Sequence, residues 1–138
     1  MGQPEEAREH YEAVLAIHRE MGNRCGEGIV LGKLGNLHYY QGRMEEARSH
    51  YEASLAIHRE LGNRRFEGLV LGNLGILHSN HGRMEQACEH FEMALSIHRE
   101  VGSRRSEGHV LANLANLFDR APGRLLKVGG LGFAALAV

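Results

Sequence analysis

Ala56-Ile57-His58-Arg59-Glu60-Leu61-Gly62-Asn63 stands 40 residues after Ala16-Ile17-His18-Arg19-Glu20-Met21-Gly22-Asn23 and 40 before Ser96-Ile97-His98-Arg99-Glu100-Val101-Gly102-Ser103. The correspondence extends on both sides. Glu5-Glu6-Ala7-Arg8 returns as Glu45-Glu46-Ala47-Arg48 and as Glu85-Gln86-Ala87-Cys88. About 26 of the 37 residues from 4 to 40 recur in register at 44–80. A fixed period between 20 and 50 residues means an array in which each unit buries its apolar face against the next.

Each period holds two helical segments. In the first type, typified by residues 67–80, Val70, Leu71, Leu74 and Leu77 form a helical apolar stripe that ends at His81-Gly82. In the second type, typified by residues 84–101, Ala87, Phe91, Ala94, Leu95 and His98 recur at helical spacing and Gly102 follows. Glu5, Glu45 and Glu85 fall in first turns, where a carboxylate complements the helix dipole. Pro4 occupies a first-turn position, where its missing N–H is no loss. Antiparallel helix pairs repeated at a fixed period predict an all-α fold, an α-solenoid of about six helices. The expected layout is a solenoid over 1–120. It comprises a lone second-type helix over 4–21, repeats over 24–61 and 64–101, and a lone first-type helix over 104–119. An apolar, Gly-rich tail follows over 121–138, irregular or partly helical.

Composition narrows the function classes. The 138 residues carry 16 Lys+Arg against 17 Asp+Glu, a formal net charge of −1. Nucleic-acid binders and polybasic membrane-surface modules need a clustered positive excess, so neither nucleic acid nor membrane is an expected partner. The apolar run from Leu125 to Val138 is too short to span a bilayer. Cys25 and Cys88 cannot make a disulfide framework, and with no secretory signal at the start the expected setting is cytoplasmic.

Local motifs add no chemistry. Gly32-Lys33-Leu34-Gly35 lies inside a helical pattern and lacks the strand and the Lys-Ser/Thr end of a phosphate loop. The 10 histidines are mostly repeat copies: His10, His50 and His90; His18, His58 and His98; His38 and His78. Copies one repeat apart are separated by roughly 10 Å in packed helices, too far to share a zinc ion. His78 and His81 come nearest to a chelating pair. His38 and His78 are expected in the core and the other histidines partly exposed. Cys88 and His90 point to different sides of their helix. No catalytic constellation, metal site or cofactor is expected, and the chain is read as a non-enzyme.

Leu74-Gly75 and His78, followed by Ala87, Phe91 and Ala94, resemble the tetratricopeptide repeat, with further copies in Leu34-Gly35-His38-Ala47-Tyr51-Ser54 and Leu114-Ala115-Phe118. Two departures are plain. His stands for the usual Tyr at 38 and 78, and Arg59 and Arg99 replace the usual terminal Pro. The 40-residue unit, with its Gly-Asn-Arg-x-x-Glu-Gly run, is similar to the long-repeat subtype of Pins-type adaptors, kinesin light chains and bacterial regulatory proteins. The resemblance covers residues 4–120 and implies a right-handed superhelix whose first-type helices line a concave groove for an extended peptide. Residue by residue, it places Ile29, Lys33, Asn36, Tyr39 and Tyr40 on that face in one unit. Leu69, Asn73, Ile76, Ser79 and Asn80 follow in the next, and His109, Asn113, Asn116, Asp119 and Arg120 in the last. Asn36, Asn73, Asn113 and Asn116 match the subtype's asparagine ladder, while Lys33 and Ile76 interrupt it. A carboxamide both donates and accepts, as a peptide backbone requires; the alternative is that these side chains are solvated or cap nearby turns.

The glycines at 28, 32 and 35, and at 68, 72 and 75, share one helical face and predict close helix packing, with part of the face open to groove floor. Arg64 and Arg104, with Arg24, Arg65 and Arg105, either favour an acidic segment in the partner or pair with Glu67 and Glu107. Residues 121–138 break the repeat. A degenerate apolar helix, disorder and a non-native extension are all open to them. The main functional expectation is a scaffold that binds a protein or peptide partner. The alternative is a structural unit that self-associates, as a homodimer or by end-to-end stacking of terminal helices.

Overall fold

The computed structural model describes residues 3–120. They form α1 (Gln3–Met21), α2 (Arg24–Tyr40), α3 (Met44–Leu61), α4 (Arg64–Asn80), α5 (Met84–Val101) and α6 (Arg104–Arg120). No strand occurs among the described residues, and the architecture is an all-α solenoid. No described helix is long and apolar enough to cross a membrane. The sequence expectations for the tail fall outside the described residues.

Turn chemistry sets every boundary. Gly22, Gly42, Gly62, Gly82 and Gly102 all take φ between 68° and 76°, the left-handed conformation a helix C-terminus needs and a side chain resists. The turn after α3 is closed by Asn63 N–H to the His58 carbonyl at 2.8 Å, and the turn after α5 by Ser103 N–H to the His98 carbonyl at 2.8 Å. Asn23 caps α2, its side-chain oxygen accepting from Gly26 N–H at 3.0 Å.

The chain divides into two compact units between Val70 and Leu71, inside α4. In the first, α2 packs on α1 and more extensively on α3. Its core holds Leu15, Val30, Leu31, Leu34 and Ile57, with Tyr11 packed against it. In the second, α5 packs on α6, and Leu71, Leu74, Phe91, Leu95, Leu114 and Leu117 are buried.

The glycine face is only partly an approach surface. A Cβ on Gly35 would lie 2.6 Å from the Tyr51 ring, and one on Gly75 would lie 2.6 Å from the Phe91 ring. Gly28 meets Ile57 and His58 at 3.0 Å, and Gly32 meets Ser54 at 3.4 Å. At Gly72 a Cβ meets nothing within 4 Å. The shared periodicity of 28, 32 and 35 with 68, 72 and 75 therefore overstates the packing of the second copy.

Candidate functional site

The carboxyl half of α4, the middle of α5 and the end of α6 enclose an open pocket of about 380 Å³ in the second unit. Ile76, Ser79 and Asn80 come from α4, Phe91 from α5, and Asn113, Asn116, Asp119 and Arg120 from α6. The spacing explains the convergence. Residues 76 and 80, like 113 and 116, are one helical turn apart and share a face. The volume falls toward the small end of ordinary ligand sites, and the lining joins an apolar floor to a few directional polar groups. Asn80, Asn113 and Asn116 bring carboxamides, Ser79 a hydroxyl, and Asp119 and Arg120 one charge of each sign. An Arg120 Nη2–H donates to Ser79 Oγ, joining α6 to α4.

Of the residues expected on this face, the pocket brings together Ile76, Ser79, Asn80, Asn113, Asn116, Asp119 and Arg120. Asn73, half-buried one turn before Ile76, and His109, exposed near the start of α6, lie outside it. Phe91, which the sequence marks only as part of the apolar spacing of its helix, joins the pocket residues. Its ring packs on the bare backbone of Gly75 and also lines the pocket, and that glycine was the signal available in the sequence.

The first unit handles the same columns differently. Tyr51 O–H donates to Asn36 Oδ1 at 2.5 Å, so this carboxamide is oriented from within the fold. Burial pushes the Tyr51 phenol above its ordinary range. Tyr39 and Tyr40 meet edge to face at 5.3 Å, with Tyr40 83% exposed at the end of α2. In the second unit Ile76 and Phe91 take the places of Asn36 and Tyr51, so acceptor and hydroxyl are lost together.

The arginines at the helix starts are engaged. Glu27, Glu67 and Glu107 are buried. Each is gripped by two arginines: Arg19, Arg59 or Arg99 through Nε at 2.9–3.2 Å, and Arg24, Arg64 or Arg104 through Nη1 at 3.0–3.2 Å. Arg24 also binds Glu60 through two contacts at 2.8 and 3.2 Å. Burial pushes the Glu27 carboxyl up, but its two arginines outweigh burial and hold it below its usual range; Glu107 is lowered chiefly by its bond from Arg99. Arg59 and Arg99, which stand where the resemblance leads one to look for Pro, thus tie a second-type helix end to the next first-type helix.

The histidines need one correction. His38 and His78 are buried as expected, but so are His58 and His98, at 1% and 2% exposure. Gly28 leaves room for His58, whose ring also stacks on Phe66 at 5.1 Å. His38 stacks on His50, and the His78 ring lies tilted against His90, while His50 and His90 bond carbonyls of their own helices. No group of three or more His, Cys, Asp or Glu among the described residues is placed to hold a metal ion.

Two family models described as Tetratricopeptide repeat match the chain, one over residues 1–60 and 26–86 and the other over 70–105. Among solved structures, 30 chains match. One is BtubC (BKLC) from P. vanneervenii, with a TM-score of 0.80 at 20% identity, covering 96% of this chain and 53% of that one. The chain thus spans about half the length of that structural relative, and the likeness is one of fold. No curated protein sequence matches. With the repeat matched over more than half its length and six helices at the matching positions, the chain belongs to the tetratricopeptide repeat family.

Proposed function

We propose that the amide-lined faces of the first-type helices bind an extended peptide segment of a protein partner, and that the protein is a non-catalytic scaffold. Tetratricopeptide repeats generally mediate protein–protein interaction. The observation that carries the finer reading is the pocket of the second unit, where Asn80, Asn113 and Asn116 stand around the apolar floor of Ile76 and Phe91. Carboxamides can pair with the N–H and C=O groups of a passing peptide, and the floor takes one apolar side chain. In the first unit Asn36, Tyr39 and Tyr40 supply the corresponding face, and Asn73 and His109 extend the two helices beyond the pocket. Arg64 and Arg104 would favour an acidic residue in the ligand, in competition with Glu67 and Glu107. Two free thiols, Cys25 and Cys88, are consistent with a cytoplasmic setting.

Panning a displayed random-peptide library on the intact chain tests this. Selected peptides should bind the Asn113→Ala/Asn116→Ala variant at least about tenfold more weakly, with its helical circular dichroism unchanged. Equal binding to both proteins would contradict the assignment. A second reading, self-association through terminal helices, is favoured by a separate observation: Val14, Ile17 and Met21 form an exposed apolar stripe on α1.

A further inference from the structure

Three departures from the repeat fall on one stripe of α2. Lys33 stands where the later copies have Asn73 and Asn113, and Tyr40 where they have Asn80 and Arg120. Between them Asn36, which becomes Ile76 in the next copy, is bonded by Tyr51. Residues 33, 36 and 40 follow the i, i+3, i+7 spacing of a single helix face, and all three are exposed. Each departure tilts that face toward hydrogen-bond donors. A lysine ammonium donates and cannot accept, where a carboxamide does both. The Tyr51–Asn36 contact, at 2.5 Å, has the length of an O–H···O bond and is too short for N–H···O, so the phenol donates and Oδ1 accepts. Burial first, and then the nearby Tyr40 and Tyr39 phenols, push the Tyr51 phenol above its ordinary range, so it stays a donor at neutral pH. One lone pair of Oδ1 is thereby occupied, and the two N–H groups of Asn36 outnumber what remains. Tyr40, 83% exposed, adds an aromatic ring set edge to face against Tyr39.

We infer that this face of the first unit takes a proline-rich stretch of the partner. The inference rests on the peptide-scaffold reading and names the ligand chemistry of its first unit. A proline residue offers a carbonyl and no N–H, so a proline-rich backbone is a row of acceptors without donors to satisfy. In its extended helix those carbonyls have no internal partners, and one turn rises about 9 Å. From Lys33 to Tyr40 the donors span roughly 10 Å along α2, a comparable length. An acidic segment is also rich in acceptors, but Lys33 is the one cation of this stripe. The exposed ring of Tyr40 turns the choice toward proline, because its electron-rich face repels a carboxylate and packs on a pyrrolidine.

Side-chain NMR of the intact chain, titrated with end-blocked decaproline, tests it, with end-blocked decaglutamate as the acidic control. Decaproline should shift the Tyr40 ring and the Asn36 carboxamide together. Tyr40→Ala, at an exposed position, and Asn36→Asp, which keeps an acceptor for Tyr51 and removes the N–H donors, should each weaken binding about fivefold or more with helical circular dichroism unchanged. Tyr51→Phe should weaken binding in the parent chain and change nothing in an Asn36→Ala background, because it acts through that carboxamide. Decaproline that fails to bind, or that binds both variants as well as the parent, would overturn the inference. Decaglutamate bound in its place and released by Lys33→Asn would also overturn it, giving the face to an acidic segment. Library peptides that depend on Asn113 and Asn116 while decaproline is ignored would overturn this inference and leave the second unit's pocket standing. Decaproline bound at Tyr40 and Asn36, with library peptides indifferent to Asn113 and Asn116, would support it and count against that pocket.

Discussion

The two compact units share a helix plan and differ in how their helix pairs are seated. In the first, Gly28, Gly32 and Gly35 all meet α3, Ser54 Oγ–H donates to the Gly28 carbonyl at 2.7 Å, and Tyr51 bonds Asn36. In the second, Ala94 stands for Ser54, Phe91 for Tyr51 and Ile76 for Asn36, and Gly72 faces open space. Polar ties hold one pair and an aromatic ring on a glycine holds the other. The second unit thereby presents an apolar floor beside the amides of α6, where the first turns its carboxamide toward its own tyrosine. Near-identical repeats can share a fold and still differ in the side chains that seat their helix pairs.

The largest expected effect comes from closing the tight approach. Gly35→Ala should lower stability by about 1–3 kcal/mol, since its Cβ would lie 2.6 Å from the Tyr51 ring. Gly72→Ala, with no neighbour within 4 Å, should instead gain up to about 1 kcal/mol from helix propensity. Urea unfolding of both variants checks the pair; equal and opposite signs from those named would mean the seating is misjudged.

A double-mutant cycle sharpens the polar-against-apolar contrast. Asn36→Ile and Tyr51→Phe should each be unfavourable, and the double variant, which copies the second unit's pairing, should recover about 1 kcal/mol of coupling. Additive effects would show that the two positions do not communicate.

The smallest effect concerns protons. Burial lowers the proton affinity of His58 and His98, and Nδ1 of each is buried without a partner, so protonation adds a donor with nowhere to go. A bond to the Gly28 backbone and then the charge of Glu67 partly offset burial at His58, and the charge of Glu107 does so at His98. Unfolded imidazole takes its proton near its ordinary 6.5, so the unfolded chain binds more protons below that pH. Stability should fall as pH drops from 7 toward 5, above the ordinary carboxylate range; Glu92, whose carboxyl burial pushes up, acts in the opposite direction. Thermal melts of a His58→Gln/His98→Gln variant should show a flatter pH dependence than the parent, which a carboxylate origin would not produce.

Much of this fold was legible because its determinants are local and repeated. The period gives the helix pairs, and Gly82 and Gly102 mark turns that only a left-handed residue closes. What escaped depends on the partner helix. His58 and His98 look like surface residues by type, and are buried because a neighbouring helix leaves space; Gly28 shows that space for His58. The candidate face was legible as a set of positions, but not Phe91, whose access to the pocket depends on Gly75 across the helix contact. Pairing of Arg64 with Glu67 and of Arg104 with Glu107 is one of two readings open in the sequence, but the second arginine, eight residues before each of Glu27, Glu67 and Glu107, is not.

The central claim is that the second unit's amide-lined pocket receives the peptide. Side-chain amide NMR of the intact chain, titrated with a selected peptide, tests it most directly. Binding there predicts that the Asn80, Asn113 and Asn116 carboxamide signals shift with a common dissociation constant, along with the Ile76 methyl groups, while those of α1 stay in place. Shifts confined to α1, or absent from all three asparagines at saturation, would contradict it.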